Sequence, residues 1–86
     1  MRRIAPPEVI DLEIDFDGAV VWNGQLVSWQ QLESSLRTEA RKYPQPEIHL
    51  RADPHVKYDY VAKVLALAQR NRMNRMGFVD TATFTH

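Results

Sequence analysis

From Ile10 the chain alternates with a period of two, and this constrains the fold more than any other feature. Ile10, Leu12, Ile14 and Phe16 are apolar, while Asp11, Glu13, Asp15 and Asp17 between them are acidic, as is Glu8 just upstream. Successive strand residues point to opposite faces, so the pattern predicts a half-buried strand with one apolar and one wet face. Strands covered on both sides, as in doubly wound folds, read instead as continuous apolar runs. Asp17-Gly18 supplies the positive φ that a tight hairpin needs, and Ala19–Trp22 is the returning strand. Asn23-Gly24 repeats the turn signal, followed by a brief third strand at Gln25–Val27.

Ser28 then opens a helix. Its hydroxyl is placed to accept from the amide of Gln31, whose side chain can reach back, which is the pattern of a capping box. Trp29, Leu32, Leu36, Ala40 and Tyr43 recur at steps of three and four and form one apolar stripe, stopped by Pro44 and Pro46. Ile48 and Leu50 alternate with Glu47, His49 and Arg51 as a further strand, and Asp53-Pro54 marks a turn. A second helix is expected over Tyr58–Arg70, with Tyr58, Val61, Val64, Leu65 and Ala68 inward. A last strand is expected over Arg75–Asp80. The order β-β-(β)-α-β-α-β, with one apolar face per element, predicts an α/β chain of the α+β two-layer type. Two helices pack on one face of a mixed sheet of four or five strands, and the last two strands run parallel. Residues 1–8, with Pro6-Pro7, read as an extended tether, 9–80 as the folded domain and 81–86 as a patternless tail.

At 86 residues the chain suffices for one domain and no more. Eleven basic and eleven acidic side chains cancel, so the molecule as a whole is not steered toward polyanions or a membrane surface. The absence of cysteine excludes a disulfide scaffold, thiolate catalysis and sulfur-ligated metal. His49, His55 and His86 lack the spacing of a ligand set, and Ser28 is accounted for as a cap. The run of acidic residues on the first strand fits a solvated face better than a catalytic carboxylate pair. Arg70, Arg72 and Arg75 make the best case for a small nucleic-acid-binding module, but three arginines neutralise few phosphates and the acidic strand opposes them. No catalytic residue, cofactor or metal is expected.

One segment says more. Ile48-His49-Leu50-Arg51-Ala52-Asp53, then Val56, Tyr58 and Val61-Ala62-Lys63-Val64-Leu65, resembles the signature of the ExbD/TolR family. Val21-Trp22-Asn23-Gly24-Gln25-Leu26-Val27 and Met76-Gly77-Phe78-Val79 extend the resemblance over roughly Val9 to Val79. Two departures stand out. Asn71-Arg72-Met73 replaces the family's small residue and Gly, so Asn71 is expected to take the left-handed position that ends the second helix. Lys57 stands where a capping residue often begins that helix.

The resemblance implies a periplasmic domain of a single-pass inner-membrane protein, acting as a homodimer. It implies an ExbB/TolQ-like channel as partner, reached through a membrane helix ahead of these residues. The expected role is to couple proton-motive force to a TonB-like protein in outer-membrane transport. A TolR-type component contacting TolA or peptidoglycan is the alternative, and the Gly77-Phe78-Val79 ending leans toward ExbD. Partner binding by strand addition is expected at a sheet border. The candidates are Val9, Asp11 and Glu13 on the first strand and Met76, Phe78 and Asp80 on the last. Arg51, Ala52, Asp53, Val56 and Tyr58 carry the family motif, with Val56 and Tyr58 expected to pin the second helix to the sheet.

Overall fold

A computed structural model describes residues 7–79. Five strands and two helices follow one another as β1 (Val9–Ile14), β2 (Val20–Trp22), β3 (Gln25–Val27), α1 (Trp29–Ala40), β4 (Glu47–Ala52), α2 (Tyr58–Arg70) and β5 (Met76–Phe78). The mixed sheet has the order β3-β2-β1-β4-β5. The β1–β2 and β2–β3 pairs are antiparallel, and the β1–β4 and β4–β5 pairs are parallel.

Both hairpin turns form as their sequences dictate. In the first, Asp15 N donates to Ala19 O at 2.8 Å and Gly18 N to Asp15 O at 2.9 Å. Gly18 has φ +88°, and a Cβ there would lie 2.5 Å from the Tyr60 ring, so both backbone and space demand glycine. The turn takes Phe16 out of the strand and leaves it 67% exposed, so the apolar alternation outruns the strand by one inward position. In the second turn Asn23 and Gly24 have φ +47° and +88°, the pair of positive values of a type I′ hairpin.

The core lies between the sheet and the helices. Ile10, Leu12 and Ile14 from β1, Val20 from β2, and Ile48 and Leu50 from β4 pack with Leu32 and Leu36 of α1 and Val61, Val64, Leu67 and Ala68 of α2. The intervening residues of β1 and β4, including Asp11, Glu13, His49 and Arg51, face the other way, onto a sheet surface uncovered by any described element. The architecture is thus the expected two-layer sandwich.

The stripes of the helices differ in detail. Ser28 and Gln31 form the capping box, with hydrogen bonds of 3.0 and 2.8 Å. But α1 ends at Ala40, so Tyr43 falls beyond the stripe and is 99% exposed. Tyr58 is 71% exposed and does not pin α2, because the first turn of α2 turns it outward; Val56 does pack against the core. Trp29 is half-buried, stacked on Tyr60 with centroids 6.4 Å apart and capped by the Lys63 ammonium at 4.4 Å.

Lys57 gives α2 no side-chain cap. At its other end the left-handed residue is Arg72, with φ +63°, and Asn71 has φ −98°. Arg72 N donates to Gln69 O and Met73 N to Ala68 O, the two bonds of a Schellman ending, with Met73 buried beneath. Asn71 is occupied otherwise: its amide donates to Leu67 O and to Glu33 on α1.

Candidate partner-binding edge

β1 occupies the middle of the sheet, with β2 on one side and β4 on the other. A further strand therefore cannot be added along Val9–Ile14, which corrects the expectation of a border there. The reason lies in β4: its inward Ile48 and Leu50 need a neighbour on each side, and β1 supplies one in a six-pair parallel register. Val9, Asp11 and Glu13 lie instead on the uncovered face, where Asp11 stands opposite His49 and Glu13 opposite Arg51.

The two borders are β3 and β5. In β3, Gln25 closes the two-residue turn against Trp22, so its polar backbone groups face β2; so do those of Val27, leaving those of Leu26 to point outward. β5 offers more. Its ladder to β4 uses Arg75 O, which accepts from Ile48 N at 2.8 Å, and Val79 N, which donates to Leu50 O at 2.9 Å. Bonding alternates along a strand, so Gly77 also faces β4 while the N–H and C=O groups of Met76 and Phe78 point away from the sheet. Among the described residues nothing pairs with them. Phe78 stands in register with Leu50 on the helix-covered side, yet its ring is 60% exposed because no described element lies outside β5. Asp80 lies outside the described residues.

The start of β5 is held by Gln45, which the sequence reading passed over. Its amide donates to Ala40 O at 3.0 Å and Arg72 O at 3.1 Å, while its carbonyl accepts from Asn74 N and Arg75 N at 2.9 and 3.2 Å. One side chain thus ties the ends of α1 and α2 to the entry of the border strand. No local pattern signals this, since three of its partners are 27 to 30 residues away.

The motif residues divide by role. Asp53 N donates to Ile14 O at 2.9 Å, its side chain accepts from His55 N at 2.8 Å and its carbonyl from Val56 N at 3.0 Å, so Asp53 shapes the turn that leads into α2. Ala52 ends β4, half-buried against the core. Arg51 projects onto the uncovered face and Tyr58 into solvent, the latter at the same end of the sheet as Phe78.

On that face Glu47 accepts from Arg75 at 3.0 Å and contacts the His49 ring at 3.4 Å, and these two bonds, His49 first, hold its carboxyl below the usual 4.5. Glu33 is likewise held below 4.5, first by Arg70 at 2.9 Å and then by Asn71. Two of the three arginines that suggested nucleic acid are therefore committed to intramolecular ion pairs. No group of three metal-ligating side chains gathers among the described residues, and no described helix is long and apolar enough to cross a membrane.

The family model of biopolymer transport protein ExbD/TolR matches residues 3–82. The chain belongs to the ExbD/TolR family. Biopolymer transport protein exbD1 of Xanthomonas campestris pv. campestris (strain B100) is 38% identical over 80 residues, which cover 93% of this chain and 55% of that protein. Biopolymer transport protein exbD2 of the same pathovar (strain ATCC 33913) is 34% identical over 77 residues, covering 87% of this chain and 57% of its own. The chain therefore spans a little over half the length of these ExbD/TolR relatives.

Proposed function

We propose that this ExbD-type domain is a non-enzymatic coupling module that captures an extended segment of a TonB-like protein along the outer border of β5. The observation that carries this reading is the border itself. Met76 and Phe78 direct their backbone donors and acceptors outward, and the Phe78 ring stands exposed beside them. An added strand gains main-chain hydrogen bonds from the first and apolar contact from the second. Both curated relatives carry the ExbD name, which supports a TonB-like partner over a TolA-like one. In this reading residues 9–80 are the periplasmic domain of an inner-membrane protein and work as a homodimer. The membrane anchor, with its contact to an ExbB/TolQ-like channel, lies outside residues 7–79.

NMR titration with a peptide from the periplasmic stretch of a TonB-like protein tests this. Amides of Met76–Phe78 and their β4 neighbours are expected to shift most. Phe78→Ala should weaken binding by about tenfold, since truncating an exposed aromatic anchor removes about 1–2 kcal/mol. Shifts scattered over α1 and α2, with β5 silent, would reject the proposal.

A further inference from the structure

Gly77 is a glycine for which the folded chain itself gives no reason. Its φ lies outside the left-handed region, and a Cβ built on it meets nothing within 4 Å. Alanine, valine or threonine would each suit a strand better, because glycine has no side chain to pack and loses more backbone freedom on folding. Gly18 is the contrast, required by both its φ and the Tyr60 ring. A glycine inside a strand often marks a place where another chain or a ligand approaches closely.

The register shows what its missing side chain leaves open. Gly77 pairs with His49, so its face is the uncovered face of the sheet, and Arg75 lies two residues earlier on the same face. There the surface sinks into a shallow depression of about 260 Å³, whose lining includes Glu47, His49, Arg75 and Gly77. It sits beside the border at which the proposed strand adds, directly in line with the residue of that strand that would pair with Gly77.

The chemistry of the lining chooses among occupants. Glu47 bonds to Arg75 at 3.0 Å and contacts His49 at 3.4 Å, so the carboxylate and the guanidinium already answer one another. An incoming acid or base would have to compete with that pair. A large flat side chain need not: it can lie across Gly77 with the imidazole beneath and the guanidinium at its side. Arginine favours the faces of aromatic rings, and an aromatic laid across an edge glycine is a known means of fixing strand register.

We propose that Gly77 is the specificity-determining position of the β5 border, selecting an extended partner segment with an aromatic residue at the paired position and aliphatic residues on either side. The flanking residues fall on the opposite face, against Met76 and Phe78, whose side chains lie on the helix-covered side. The inference rests on strand addition at β5 and sets which sequences that border accepts.

The test uses a capped peptide Lys-Thr-Val-Xaa-Val-Thr-Lys with Tyr, Ala or Asp at Xaa, titrated into the protein and followed by NMR. The Tyr peptide is expected to bind about fivefold more tightly than the Ala peptide, the scale of an exposed cation–aromatic contact. In Gly77→Val that preference should disappear while the Ala peptide binds as before and the thermal midpoint holds or rises. Equal binding of the Tyr and Ala peptides, tighter binding of the Asp peptide, or a preference that survives in Gly77→Val would overturn the assignment of Gly77 and leave strand addition standing. If no peptide moves the β5 amides, strand addition at β5 fails and the inference falls with it. Concentration-dependent broadening of those amides without peptide would assign the border to a second copy of this chain and overturn the proposal.

Discussion

Arg72 holds a left-handed backbone that suits glycine better, with φ +63° in the Schellman ending of α2. Relief of that strain, less the extra freedom glycine has when unfolded, should make Arg72→Gly more stable by about 0.5–1 kcal/mol in urea unfolding. The sequence pointed one residue too early, to Asn71. Asn tolerates left-handed geometry, but here its amide is drawn to Glu33 on another helix, a partner that local pattern cannot show. Lys57 was legible. It begins α2 from an extended backbone (φ −66°, ψ 136°) with no side-chain bond to the first turn, and Lys57→Ser should add about 1 kcal/mol, measured in the same way. Gln45 was illegible for the opposite reason: its sequence neighbourhood looks like a loop, and its importance lies in the remote groups it joins. Gln45→Ala removes four hydrogen bonds, three of them to exposed groups that water can answer, and should cost about 1 kcal/mol, with the largest losses of amide protection at Asn74 and Arg75.

Among the elements, those whose apolar pattern matched their geometry were readable directly. β1, β4 and the middle of each helix stripe followed from periods of two and of three to four, and both hairpins from Asp-Gly and Asn-Gly, while the buried Leu67 of α2 was missed and Tyr43 and Tyr58 at the stripe ends are exposed. Position in the sheet was not readable in that way. β1 was a candidate border, yet it is the central strand, paired with β2 and β4, and its outward Asp11 and Glu13 stand opposite His49 and Arg51 of β4. The carboxyls that join elements carry a consequence for acid stability. Glu33 links α1 to α2, and Glu47 links β4 to the entry of β5. Both titrate below 4.5 in the fold, so the stability they contribute is complete above about that pH. It is lost as pH falls through the lowered values, because the unfolded chain takes up the protons first. Urea midpoints should therefore decline below pH 4.5, and Glu33→Gln with Glu47→Gln should flatten that decline while lowering stability at neutral pH.

For the whole molecule, charge balance and the family signature were legible, and the borders of the sheet were half so. The last strand is a border as expected. The exposure of Tyr58 and the pairing of Gly77 with His49 needed the assembled sheet. Because Arg70 and Arg75 are bound to Glu33 and Glu47, a generic oligonucleotide should show no salt-dependent binding at physiological ionic strength, which fluorescence anisotropy reads directly. The central placement of β1 has a mechanical corollary. A tug on the chain ahead of Pro7 runs along β1, whose six residues pair with β4 throughout and with β2 over their second half. Tension along that axis loads both ladders in shear, so many hydrogen bonds resist together instead of unzipping one by one. If a partner strand is held along β5 as proposed, force would pass sideways through β4, from strand to strand, without first peeling the sheet apart.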